Sequence, residues 1–247
     1  MQAFASKHPV IFGLALFIVS IVACIPFMFA LQAIGFPAEA AGAFSRLAVG
    51  VIIAIVFRSR IPWGNSFKGF VIALPAFLFA VWNIVYNLAG GCEITTTSGG
   101  IIGAIVLGLA PAVFEELIFR GAAIDALRSS GANDMLTLIV SALLFAAVHL
   151  TNAVGMDLVS VLVQVLYSVS VGLILGAVYI LSGDILTVIL AHASIDIASQ
   201  LFLTHPETTS VPFLIAFIVL IVAEGAYAVW MVGKNGNNDT SQSMPVE

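Results

Sequence analysis

Apolar runs long enough to cross a bilayer recur along this chain, separated by short stretches rich in Gly, Pro, Asn, Ser or charge. As a helix, about 20 apolar residues cover the hydrocarbon thickness, and the breakers mark where each run ends. The pattern predicts eight helical spans, at about 9–34, 43–57, 69–89, 100–127, 135–150, 158–181, 185–204 and 211–233. The second and fifth are short for a bilayer and call for tilt, local thinning or burial within the bundle. The run after Lys7 is longer than the roughly 7–15 residues of a secretory apolar core, so it is expected to remain as the first membrane helix. Residues 1–233 then form one transmembrane domain, and the polar stretch 234–247 is expected to be a disordered tail.

Composition points the same way. The chain is 61% hydrophobic and 9% charged, whereas soluble domains carry about a quarter charged residues. The expected fold class is therefore all-α, a polytopic membrane protein with the lipid bilayer as its surroundings. Eight basic residues and a net charge of −5 leave no basic surface for nucleic acid. Their placement sets an orientation instead. Lys7, Arg58, Arg60, Lys68, Arg128 and Lys234 fall on one side of the eight spans, while the opposing loops 90–99, 151–157 and 205–210 contain no Lys or Arg. Basic residues concentrate on the cytoplasmic side, so both termini are expected in the cytoplasm, the protein sitting in the plasma or cell membrane. Arg46 is the exception and is expected to snorkel outward.

Smaller signals are structural. Gly172 and Gly176 form a small-xxx-small pair that lets a neighbouring helix approach. Trp82, Tyr86 and Trp230 suit interfacial belts. Cys24 and Cys92 lie at different depths and are not expected to pair.

The chemistry concentrates where charge interrupts apolarity. The stretch from Ile101 to Phe114 is uncharged and then reads EELIFR. An ionisable group at bilayer depth costs about 2.5–3.5 kcal/mol on insertion scales and usually faces a bundle interior or a wet cavity. Glu116 and Arg120 share a helix face at i, i+4, which predicts an ion pair. Glu115 points about 100° away and has no partner on its own helix. His149, on the next helix, lies at a similar depth and can face Glu115. In AHASID, His192 and Asp196 share a face of the seventh span. Glu224, in the last span, is balanced between a structural hydrogen bond and a site role. Gln164, Tyr167 and Ser168 are candidates for lining a cavity or joining helices.

Three of these segments, EELIFR (Glu115–Arg120), FAAVH (Phe145–His149) and HASID (His192–Asp196), follow one another in this order. They resemble the motifs of the CAAX-protease and bacteriocin-processing family, also called Abi or CPBP, related to the Ras-converting prenyl-protein endopeptidases. The match covers about residues 100–204. The resemblance implies an eight-helix intramembrane endopeptidase that hydrolyses a peptide bond with glutamate- and histidine-activated water. Glu115 and His149 would then activate the water, and His192 and Asp196 would stabilise the oxyanion or position the carbonyl. Glu116 and Arg120 would support them, with Phe145 as the fixed aromatic of the second motif. The family often has Asn where this chain has Asp196, and a carboxylate donates no hydrogen bond unless protonated. Metal dependence stays open: two histidines and a carboxylate, as in Glu115, His149 and His192, suit Zn²⁺, but there is no HExxH motif. The implied partner is a membrane-anchored, prenylated or leader-type peptide. The alternatives are a non-catalytic membrane partner, as in self-immunity or scaffolding of a signalling protein, and a transporter, for which no inverted repeat speaks.

Overall fold

A computed structural model of the chain describes residues 2–64, 66–206 and 210–242. Among them the regular structure is helical, apart from two isolated bridges, Trp63 to Asp184 and Ile94 to Phe202. The helices are α1 (Gln2–Lys7), α2 (Pro9–Ala33), α3 (Ala38–Val56), α4 (Phe67–Ala73), α5 (Phe77–Ala89), α6 (Ser98–Glu116), α7 (Ile124–Ser129), α8 (Asp134–Val148), α9 (Leu158–Ser182), α10 (Ile185–Gln200) and α11 (Val211–Gln242). A 3₁₀ turn at Pro75 joins α4 to α5, and a π-helical turn, Leu117–Ala123, joins α6 to α7. These joints make Phe67–Ala89 and Ser98–Ser129 two continuous spans.

The chain is thus an all-α polytopic membrane protein, with one correction to the predicted spans. Seven helical segments among the described residues are long and apolar enough to cross a membrane, and the eighth, Ile185–Gln200, is shorter. Its predicted end at 204 fails because the chain leaves the helix after Gln200 to meet the loop before α6. There Thr95 N–H donates to Leu201 O at 2.9 Å and Leu203 N–H to Glu93 O at 2.9 Å. The last helix is described to Gln242, and residues 243–247 of the expected tail lie outside the described residues.

Packing separates central from peripheral helices. In the span Ser98–Ser129 44% of the most apolar window is buried, against 11% for Val211–Asn235. The central helix α6 packs against α10 and α3, while α9 packs against α8 and α11. Apolar side chains left exposed on the outer helices, such as Ile18, Val19, Val219 and Val222, suit contact with lipid. Apart from Arg46 and Arg120, the basic residues gather at one end of the bundle. Arg60 pairs with Asp125 at 3.5 Å and Arg128 with Asp134 at 2.9 Å. At the same end buried Asp184 caps α10 by accepting from Thr187 N–H at 2.9 Å, and it accepts from Ser66 N–H at 2.8 Å. That carboxylate ties the loop before α4 to the start of α10.

Two glycines bring the helices of the polar motifs together. A Cβ on Gly172 would lie 3.0 Å from the Ala142 Cα, so α8 and α9 touch backbone to backbone. A Cβ on Gly108 would lie 2.6 Å from the Ile197 backbone nitrogen and 2.9 Å from its Cα. Real side chains do not approach so closely, so Gly108→Ala has to push α6 from α10. Overpacking of this kind costs about 1–3 kcal/mol. Gly103, on the same helix, has nothing within 4 Å of an added Cβ. Thermal unfolding of detergent-solubilised protein should show a lower melting temperature for Gly108→Ala and none of that loss for Gly103→Ala. Equal behaviour of the two would remove the close approach as the reason for the glycine.

Candidate active site

The centre of the site is a buried carboxylate shared by two cations. Glu116 ends α6 and is fully buried, and its Oε1 accepts from Arg120 Nη1 at 2.9 Å. The same oxygen lies 2.7 Å from His192 Nδ1. A carboxylate held by a guanidinium accepts rather than donates, so His192 Nδ1 carries the proton and donates it. Arg120, also fully buried, donates from Nη2 to the Gly172 carbonyl at 3.1 Å. Its guanidinium carbon sits 4.4 Å from the centre of the Phe145 ring. One ion pair thereby joins α6, α9 and α10, with the aromatic of α8 stacked upon it.

The π-helical turn carries Arg120. Such turns widen a helix by one residue and recur at functional sites. Nearly two turns earlier, Pro111 removes a helical N–H donor and leaves the Leu107 carbonyl without its usual partner. Both Pro111 and Leu107 line a cavity between the helices.

That cavity has a volume of about 510 Å³ and is lined by Glu115, His149, His192 and Asp196 together, with Asn152, Gln164, Glu39 and Arg46 among the other polar residues. Its polar residues lie toward the end of the bundle opposite Arg60, Lys68 and Arg128. Glu115 is half-buried, and among the described residues it makes no hydrogen bond or ion pair, so its oxygens are unspent. His149 Nδ1 lies 2.9 Å from the carbonyl of Phe145, one turn back on α8. A carbonyl only accepts, so this fixes the proton on Nδ1 and leaves Nε2 with its lone pair. His192 Nε2 lies 3.6 Å from Asp196 Oδ2, too long for a hydrogen bond. Gln164 accepts from Asn152 Nδ2 at 2.8 Å, joining α9 to the stretch after α8.

Phe145 packs edge-on against His149 with centroids 5.1 Å apart and against His192 at 5.6 Å. The i, i+4 spacing of Phe and His in the second motif thus has a local cause. One residue supplies both the ring that holds the two imidazoles and the carbonyl that sets the tautomer of one of them.

The geometry changes several sequence readings. Glu116, a catalytic candidate by the resemblance, does not line the cavity; it stands behind His192. His192 and Asp196 share a face of α10 without a hydrogen bond between them, and the short bond of His192 goes to Glu116 instead. Arg46 does not simply snorkel outward, because it borders the cavity. Trp82 and Tyr86 line a second, largely apolar chamber of about 670 Å³ that shares Leu107, Pro111, Gln164, Asp196 and Gln200 with the first. Gln164 and Tyr167 do line cavities. Glu224 is buried outside both, with neither oxygen partnered among the described residues. Cys24 and Cys92 are both free. The metal set Glu115, His149 and His192 is not gathered, since no three His, Cys, Asp or Glu side chains among the described residues converge to hold an ion. The Nδ1 bonds leave both Nε2 atoms open, so it is the spacing of the three side chains that keeps them from forming a metal site as they stand.

Membrane-spanning helices thus enclose a polar cavity whose wall holds Glu115, which has no partner among the described residues, and the imidazoles of His149 and His192. Residues 96–198 match the Rce1-like family model, described as type II CAAX prenyl endopeptidase. That match bears out the resemblance carried by the three motifs. The matched segment contains Glu115, Glu116, Arg120, Phe145, His149, His192 and Asp196. No curated protein matches the chain.

The shared carboxylate makes a stability prediction. Removing one partner of a buried ion pair costs about 3–5 kcal/mol, because the other charge is left without compensation. Arg120→Met should lower the melting temperature strongly in thermal unfolding, and the double variant Glu116→Gln/Arg120→Met should recover part of the loss. A double variant no better than Arg120→Met would mean that the pair itself is not what Arg120 stabilises.

Proposed function

We propose that the chain is an intramembrane endopeptidase that hydrolyses a peptide bond of a membrane-associated substrate, prenylated or of leader type, with water activated by Glu115 and His149. The observation that carries the reading is that Glu115 and His149 border one cavity with their reactive atoms unspent. A general base has to reach the proton it abstracts through a direct hydrogen bond or one water.

In this reading a water held between Glu115 and His149 Nε2 attacks the substrate carbonyl carbon and yields a proton to Glu115. The carbonyl oxygen takes the negative charge, and His192 Nε2 and Asp196 face it. One of these two must bring a proton to act as donor: either His192 is imidazolium, or Asp196 is a neutral carboxyl. The proton on Glu115 then passes to the leaving amine as the carbon–nitrogen bond breaks. Glu116 and Arg120 take no part in proton transfer; they hold His192 with Nδ1 protonated and Nε2 turned to the site.

The distribution of Lys and Arg supports cytoplasmic termini. With that orientation the cavity opens on the extracytoplasmic side, and the apolar chamber between α5, α9 and α11 offers a lateral way in from lipid.

Glu115→Gln and His149→Ala should each reduce cleavage by about 10²–10⁴-fold, the usual contribution of a positioned acid or base. Mass-spectrometric mapping of the termini of membrane peptides, with and without the protein, measures this whatever the substrate is. If Glu115→Gln inserts and melts like the wild type and the same peptides are still cut, the enzymatic reading gives way to that of a binding partner.

A further inference from the structure

Resting on that reading, we propose that Arg46 is the residue that receives the substrate, binding its free C-terminal carboxylate and thereby fixing which bond lies over Glu115. Among the described residues, Arg46 is the one Lys or Arg that borders the cavity of Glu115, His149 and Asp196. It is half-buried, and among the described residues it forms no ion pair or hydrogen bond. An arginine inside a span without a partner is costly, and its planar fork matches a carboxylate through two parallel hydrogen bonds. The other ionisable groups of the cavity wall are the imidazoles of His149 and His192 and three acids: Glu39, two turns before Arg46 on α3, together with Glu115 and Asp196. None of the three lies within ion-pair distance of Arg46. They disfavour a second anion, so the cavity is suited to one negative charge, placed at α3.

The second chamber sets the direction. It meets the first along Leu107, Pro111 and Asp196, on the side away from α3. Its wall includes Trp82, Tyr86 and Phe217, with Trp82 and Phe217 stacked at 5.6 Å. A substrate with an apolar anchor in this chamber and its terminal carboxylate at Arg46 crosses Glu115 and His149 between the two. The same carboxylate chemistry could come from an acidic side chain in the middle of a peptide, and the two sources are separable.

The test uses the full-length Glu115→Gln protein in detergent, where binding is read without turnover. The probe is a dansyl-labelled, S-farnesylated peptide with its cysteine three residues from the end, prepared as the free acid, as the C-terminal amide, and as an amide with an internal aspartate. The free acid should bind at least about tenfold more tightly than either amide, as a charge-assisted bidentate pair implies. Adding Arg46→Gln should abolish the difference, and Arg46→Lys should restore part of it. On the otherwise wild-type protein, Arg46→Gln should raise KM for the free acid with a smaller effect on kcat. Equal binding of acid and amide, or binding of neither, overturns the role of Arg46, and recovery by the aspartate peptide reassigns it to an internal acid. Each of these outcomes leaves the protease reading to its own test, the loss of cleavage in Glu115→Gln.

Discussion

One carboxylate oxygen holds the site together. Glu116 Oε1 is 2.9 Å from Arg120 and 2.7 Å from His192, and all three residues are buried in the bundle. Two donors on one acceptor offset a desolvation cost that neither would meet alone. An arginine suits this place because its fork works in several directions at once. It reaches Glu116 and the Gly172 carbonyl and lies over the Phe145 ring. A lysine would supply a point charge and leave the ring and the carbonyl without their contacts. Four helices, α6, α8, α9 and α10, therefore meet at this ion pair, and His192 inherits its orientation from it.

Glycine makes that convergence sterically possible. The Gly172 carbonyl reaches Arg120 from a helix that already lies backbone to backbone on Ala142. Gly108 lets α6 meet α10 next to Asp196, so the distance across the cavity is set by the absence of a side chain. Helix association in lipid relies on close packing rather than on expulsion of water. The residues that shape this site are accordingly small ones that carry no chemistry themselves.

Local relations were legible in the sequence, and distant ones were not. Run length located the helices, because a bilayer imposes a minimum on apolar length. It misjudged 185–204, where the chain turns off at Gln200 to pair its backbone with the loop at Glu93 and Thr95. The Glu116–Arg120 pair followed from i, i+4 spacing. The bond from Glu116 to His192 spans 76 residues, and no periodicity reports on it. The π-helical turn at Leu117–Ala123 is a change of hydrogen-bond register without a compositional mark. Arg46 was misplaced because a basic residue near a span end satisfies the snorkelling pattern whether it faces lipid or a cavity. Only the packing of α3 on α6 distinguishes the two. Its isolation from every other Lys and Arg was the one available signal.

The adjacent glutamates show how a helix divides labour by angle alone. A turn of about 100° sends Glu116 into the dry contact with Arg120 and His192, and Glu115 into the cavity. The same separation runs through the whole site. Glu116 Oε1 and the Nδ1 of both histidines are committed, while Glu116 Oε2 and Arg120 Nε lack partners among the described residues. Groups on the cavity side keep polar atoms available, as in Glu115 and the Nε2 of His149. Water enters a protein interior where polar partners and room coincide. The committed hub keeps water from the charges that hold the fold, and the uncommitted wall gives it a place beside the group able to take its proton. Exchanging the two positions would place an unpaired acid in the core and a paired one at the reacting surface, so the order of the pair follows from which face of α6 meets α10.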